Sequence, residues 1–283
     1  MSVDHYENFP VASFLCPPAL RPAVTAIYHF ARTADDIADE GTASAIERLA
    51  ALDRYERVLQ QAALGCTSDD WPQVFGPLAR EIATHRLPVA LLGQLLSAFK
   101  QDTHNPLYPD RAALLDYCSR SADPIGRLLL HLAGVTEPNA LAQSDAICTS
   151  LQLINFWQDM SIDHPRGRIY VPTADAQRHG LDVKALDNDS DASRALVSEL
   201  CAWARDLIQR GAPLVHRLPG RFGWELRLVV QGGLRILDKI EGHGFNALSQ
   251  RPTVGAIDAP LLLWRALWMR RGAPALLSDP AAR

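Results

Sequence analysis

Gln152-Leu153-Ile154-Asn155-Phe156-Trp157-Gln158-Asp159-Met160-Ser161-Ile162-Asp163 is the stretch from which the fold is best read. Its polar residues Gln152, Asn155, Asp159 and Asp163 follow at steps of three, four and four, so on a helix they form one stripe between mostly apolar neighbours. A surface helix would carry more charge on its polar side. An apolar helix with a single aspartate stripe reads as the wall of a polar cavity inside a helical bundle, with a partly buried structural cluster as the competing explanation.

The rest of the chain has the same periodicity. Between Pro18 and Glu40 the apolar positions Leu20, Val24, Ile27, Tyr28, Ala31, Ala34 and Ala38 recur at three- and four-residue steps. Further helices are predicted near Ser44–Leu64, Pro88–Lys100, Arg111–Ala133, Asn139–Met160, Asp191–Gln209 and Trp224–Gly242. Pro and Gly at 65–77, 104–106, 134–138 and 211–223 fall where such helices should stop. Strand-like alternation is scarce. The pattern predicts an all-α bundle forming one domain over residues 1–271, with 182–191 a solvated connection and 272–283 a flexible tail.

A second acidic pattern lies on the first helix. Arg32-Thr33-Ala34-Asp35-Asp36-Ile37-Ala38-Asp39 puts Arg32, Asp35 and Asp39 on one face, the two carboxylates one turn apart. Like charges at that spacing destabilise an isolated helix by roughly 0.2–0.5 kcal/mol, which invites a compensating cation. Alone, the pattern fits a solvated acidic patch equally well. With the stripe about 124 positions further on, it suggests two halves facing one cavity and clamping Mg²⁺, which commonly binds one or two carboxylates together with substrate phosphates. The metal ligands would be Asp35, Asp39, Asn155, Asp159 and Asp163, and the substrate a diphosphate.

The loop Arg166-Gly167-Arg168-Ile169-Tyr170 follows at once. Arg168 could contact a leaving diphosphate and Tyr170 could donate a hydrogen bond, a capping or surface arginine being the alternative. Gly126, in the stretch Tyr117–Leu130, would let the backbone approach substrate, or else serves helix packing.

Other chemistries find no support. Gly242-His243-Gly244 follows a helix where a dinucleotide site needs a strand, and there is no G-x-x-x-x-G-K-[ST], G-x-S-x-G or H-E-x-x-H. The five cysteines, scattered and odd in number, read as reduced and mostly core. A net charge of −4 gives no reason to expect nucleic acid as a partner. With neither a signal-like N-terminus nor an apolar run of about 20 residues, the expected location is cytoplasmic. The apolar and basic stretch 261–271 reads first as a packed terminal helix, and otherwise as a peripheral contact with the inner face of the membrane.

These residues resemble the squalene and phytoene synthase family up to about residue 255. Its Tyr, Arg and D-D-x-x-D pattern is matched by Tyr28, Arg32, Asp35, Asp36 and Asp39, and its second pattern by Gln152, Asn155, Asp159 and Asp163, followed by Arg168 and Tyr170. Residues 5–13, 30–40 and 155–159 are most similar to the bacterial hydroxysqualene synthase branch. The resemblance implies the isoprenoid synthase bundle with a central cavity and a Mg²⁺-dependent conversion of presqualene diphosphate and water to hydroxysqualene, between upstream and downstream enzymes of the squalene and hopanoid pathway. It implies catalytic roles for Arg32, Asp35, Asp39, Asp159, Asp163, Arg168 and Tyr170, and substrate contacts from Phe9, Tyr28, Ile125, Gly126, Gln152 and Asn155. The chain departs from condensing members at Gln158, where they carry Arg, at Ile162, where they carry an acid, and at Tyr6 and Asn8, which replace serines. Fewer cationic contacts suit one diphosphate substrate rather than two. A head-to-head condensing synthase and a non-catalytic assembly protein are the alternative readings.

Overall fold

The computed structural model describes residues 16–66 and 68–269, so Tyr6, Asn8, Phe9 and the 272–283 tail lie outside the described residues. Twelve α-helices and no strand are found among the described residues. They are α1 (Arg21–Asp39), α2 (Ala45–Ala63), α3 (Pro72–His85), α4 (Val89–Asp102), α5 (Arg111–Ser121) and α6 (Asp123–Leu132). After them come α7 (Pro138–Gln158), α8 (Met160–Asp163), α9 (Thr173–Arg178), α10 (Asp191–Gly211), α11 (Gly220–Gly242) and α12 (Ala259–Leu267).

Local chemistry accounts for the helix starts. Ser44 and Glu47 form a reciprocal capping box at α2, satisfying two otherwise orphaned backbone N–H groups. Asp110 accepts from the Ala113 N–H at α5, and Ser190 from the Ser193 N–H at α10. Pro72, Pro124 and Pro138 sit in first turns, where a missing N–H costs nothing.

Three expectations are corrected. The single helix expected over 111–133 breaks at Ala122 (φ −119°, ψ −49°), because Pro124 cannot donate to the preceding turn. The stop expected over 65–77 ends earlier, since Pro72 opens α3 and Pro77 lies inside it. The connection at 182–191 is not wholly solvated, because Val183 and Leu186 are buried.

Two cores divide the bundle. One joins α1–α4 through Phe30, Leu52, Tyr55, Leu78 and Leu92, and the other joins α5, α7, α10 and α11 through Leu114, Leu153, Trp157, Leu200 and Leu237. Helix α6 contributes Leu128 to the first and Leu130 to the second. At the centre, α7 packs on α5, α6, α10 and α11.

That close approach needs small residues. A Cβ on Gly126 would lie 2.4 Å from Ser144 Oγ and 2.5 Å from Cys148 Sγ, and one on Gly211 would lie 2.6 Å from the Gln143 carbonyl. Gly126 therefore serves the α6–α7 contact. All five cysteines are free, with Cys16, Cys118 and Cys201 buried.

Candidate active site

Helix α1 presents Arg32, Asp35, Asp36 and Asp39 along its last two turns. Arg32 reaches three carboxylates, Asp35 at 3.2 Å, Asp36 at 2.6 Å and Glu40 at 2.9 Å. The turn after α1 is held by Arg48, whose guanidinium donates to the carbonyls of Ala43 (2.9 Å), Gly41 (3.0 Å) and Ile37 (3.4 Å).

The second motif runs along α7 and α8. Asp159 sits at a one-residue bend (φ −98°, ψ 8°) between the two helices, yet its N–H still donates to Asn155 O (2.9 Å) and its carbonyl accepts from Asp163 N–H (2.8 Å). The stripe thus survives the interruption. Asn155 is exposed, whereas Gln152, Asp159 and Asp163 are half-buried.

Arg168 joins the motifs, donating from Nη2 to Asp39 Oδ2 at 2.7 Å. Burial first, then the neighbouring Asp39 charge, pushes the Asp35 carboxyl up to about 7 against the opposing pull of Arg32. Burial and Asp159 push Asp163 up to about 6. Asp39 Oδ1 is buried with no hydrogen-bond partner. These crowded, partly unsatisfied oxygens are hard donors suited to Mg²⁺. Among the described residues, no three His, Cys, Asp or Glu side chains are grouped to hold a metal unaided. Such an ion would take further oxygens from substrate or water.

Three participants were not legible in the sequence. Asp102, the last residue of α4, accepts from Tyr117 Oη at 2.9 Å, and burial together with Asp35 and Asp39 pushes its carboxyl up to about 7 despite that bond. A lone aspartate and a lone tyrosine carry no periodic signal. Arg251 pairs with Asp159 from the loop before α12. That loop is anchored by Asp258, which accepts from Arg235 (2.8 Å), Lys239 (2.6 Å) and the Gly255 N–H (2.9 Å). Burial opposes ionisation of Asp258, but these bonds hold its carboxyl well below the usual range. Gln158, fully buried, donates to Pro252 O of the same loop at 2.7 Å.

Tyr170 stacks on Phe156, with ring centres 3.6 Å apart and planes 6° from parallel, beside Tyr108 and Tyr117. Tyr28 is half-buried on α1, and Ile125 packs against the first core. Asp39, Arg48, Asp102, Thr103, Asn105, Arg166 and Arg168 line a cleft of about 640 Å³.

The family model described as squalene/phytoene synthase matches residues 3–258. The chain belongs to that family. Within it, the hydroxysqualene synthase of Zymomonas mobilis is 40% identical over 59% of this chain and 55% of its own length. The hydroxysqualene synthase of Rhodopseudomonas palustris is 32% identical over 89% of this chain and 85% of its own. The crystal structure of the squalene synthase HpnC from Alicyclobacillus acidocaldarius superposes with a TM-score of 0.78 at 37% identity, covering 86% of this chain and 90% of that one. The all-helical isoprenoid synthase fold expected from the sequence is thus the fold of a solved family member.

Proposed function

We propose that this protein is a hydroxysqualene synthase, converting presqualene diphosphate and water to hydroxysqualene and diphosphate with Mg²⁺. The observation that carries this reading is the Arg168–Asp39 contact, which ties the loop following the second aspartate motif to the first motif at a polar cleft. Asp35, Asp39, Asn155, Asp159 and Asp163 would hold the metal against the diphosphate oxygens. When bound, Mg²⁺ supplies positive charge that weakens the scissile C–O bond.

Arg32 and Arg168 neutralise charge developing on the leaving group. The C–O bond breaks with its electron pair going to diphosphate and leaves a cyclopropylcarbinyl cation. Tyr28 offers that cation an aromatic face, an attraction of about 0.5–2 kcal/mol, while Ile125 supplies apolar wall. After rearrangement, a water oxygen forms the new C–O bond and releases a proton.

Gln158 supports a single-diphosphate substrate. Where condensing members carry arginine, this chain buries a neutral amide that bonds the Pro252 carbonyl. The test is mass-spectrometric product analysis with Mg²⁺ and without NADPH. Hydroxysqualene from presqualene diphosphate is the expected result. A C30 product from farnesyl diphosphate alone would make the protein a condensing synthase, and silence with both substrates would leave an assembly role.

Peripheral membrane contact belongs to the same proposal. No helix among the described residues is long and apolar enough to cross a membrane. Helix α12 and its C-cap nevertheless expose Leu263, Trp264, Leu267 and Trp268, with the two indoles 5.4 Å apart. Tryptophan side chains favour the lipid headgroup level, and both substrate and product of the proposed reaction are lipids. Sedimentation with anionic vesicles should carry the protein down and leave a W264A/W268A double variant in solution. Equal sedimentation of both would remove α12 as the contact.

A further inference from the structure

Among the described residues, the arginines around the cleft are already engaged, with one exception. Arg32 meets three carboxylates, Arg48 three carbonyls, Arg168 meets Asp39 and Arg251 meets Asp159. Arg166 lines the same cleft, is exposed, and makes no hydrogen bond or ion pair with any described residue.

Its backbone, by contrast, is fixed. Arg166 ends the 3-10 turn His164–Arg166, which closes through Gly167 N–H to His164 O (3.0 Å) and Arg168 N–H to Asp163 O (3.0 Å). Gly167 adopts φ +77°, a left-handed conformation that glycine takes without strain. The turn is tethered on both sides, by the His164 ring to Val183 O at 2.8 Å and by Arg168 to Asp39. The result is a long cationic side chain on a tethered base, paired with no described carboxylate.

We propose that Arg166 is a diphosphate-binding residue of the cleft, taking the phosphate oxygens that the engaged arginines cannot take without breaking bonds they already have. A guanidinium presents a planar fork that fits two phosphate oxygens at once, and this one sacrifices no protein contact on binding. The inference rests on the reading of the substrate as a diphosphate and adds a residue to its recognition.

Calorimetric titration of inorganic diphosphate in the presence of Mg²⁺ tests it without requiring turnover. Wild-type protein should bind, Arg166→Ala should bind on the order of tenfold more weakly, and Arg166→Lys should fall between them. Melting temperatures of all three should agree, because the side chain holds nothing in place. Binding by Arg166→Ala within twofold of wild type would overturn the proposal while leaving the assigned reaction untouched if wild type still makes hydroxysqualene. Weakened diphosphate binding in a protein that makes no hydroxysqualene would sustain Arg166 and sink the assigned reaction. No binding of diphosphate by wild type would sink both.

Discussion

Arg168 and Asp39 stand 129 positions apart in the chain, and their side chains meet at 2.7 Å. The contact is partly exposed, so its loss should cost at most about 1 kcal/mol of stability. Its value lies in electrostatics at the site. Arg168→Ala should lower diphosphate release by about 10²–10³-fold, the usual cost of removing one stabiliser of developing negative charge, while the melting temperature moves only slightly. Steady-state diphosphate release alongside a thermal melt checks both halves. A large loss of stability with unchanged turnover of the folded fraction would make the contact merely structural.

The metal assignment predicts complete dependence on a divalent ion. Chelation with EDTA should abolish product and Mg²⁺ should restore it. Asp39→Asn should raise the Mg²⁺ concentration for half-maximal rate by on the order of tenfold, because the coordinating carboxylate becomes a neutral amide. Turnover that ignores EDTA, or an Asp39→Asn variant with wild-type Mg²⁺ dependence, would remove Asp39 from the ligand set.

Gly126 separates packing from substrate contact. Its Cβ would overlap Ser144 and Cys148 on α7, so Gly126→Ala should destabilise by about 1–3 kcal/mol, lowering the melting temperature by roughly 2–4 °C per kcal/mol. The KM for presqualene diphosphate should stay at the wild-type value. A raised KM without thermal destabilisation would return Gly126 to the substrate.

Asp123 should make stability pH-dependent. It opens α6, accepts from Thr149 Oγ1 at 2.8 Å, and burial pushes its carboxyl from the ordinary 3.8 up to about 7. The folded state therefore keeps this proton to higher pH than the unfolded chain does. Its contribution to stability is present in full below about pH 4 and declines as pH rises to about 7. Asp123→Asn keeps an acceptor for Thr149 and removes the titration. Urea midpoints at pH 5 and pH 8 should differ less for Asp123→Asn than for wild type, and an equal difference would count against the buried acid.

Much of the architecture was decided by local chemistry. Apolar spacing placed the helices that became α1, α2, α4, α7, α10 and α11, because a 3.6-residue repeat, side-chain caps and prolines act over a few neighbouring residues. The same spacing singled out Asp35, Asp39, Asn155, Asp159 and Asp163, since ligands on one helix face must recur at three or four positions. It also attached Arg168 and Tyr170 to the second motif by adjacency.

What lay beyond that range needed the packed chain. Asp102, Tyr117 and Arg251 reach the site from α4, α5 and the loop before α12, each as a single residue with no repeat around it. The break at Ala122 and the role of Gly126 likewise depend on how closely α6 lies against α7. Periodicity shows which face of a helix is polar, because that is set within one turn. Which residues from distant segments meet that face, and which cleft arginine pairs with no described residue, is set by helix packing, a property of the whole bundle.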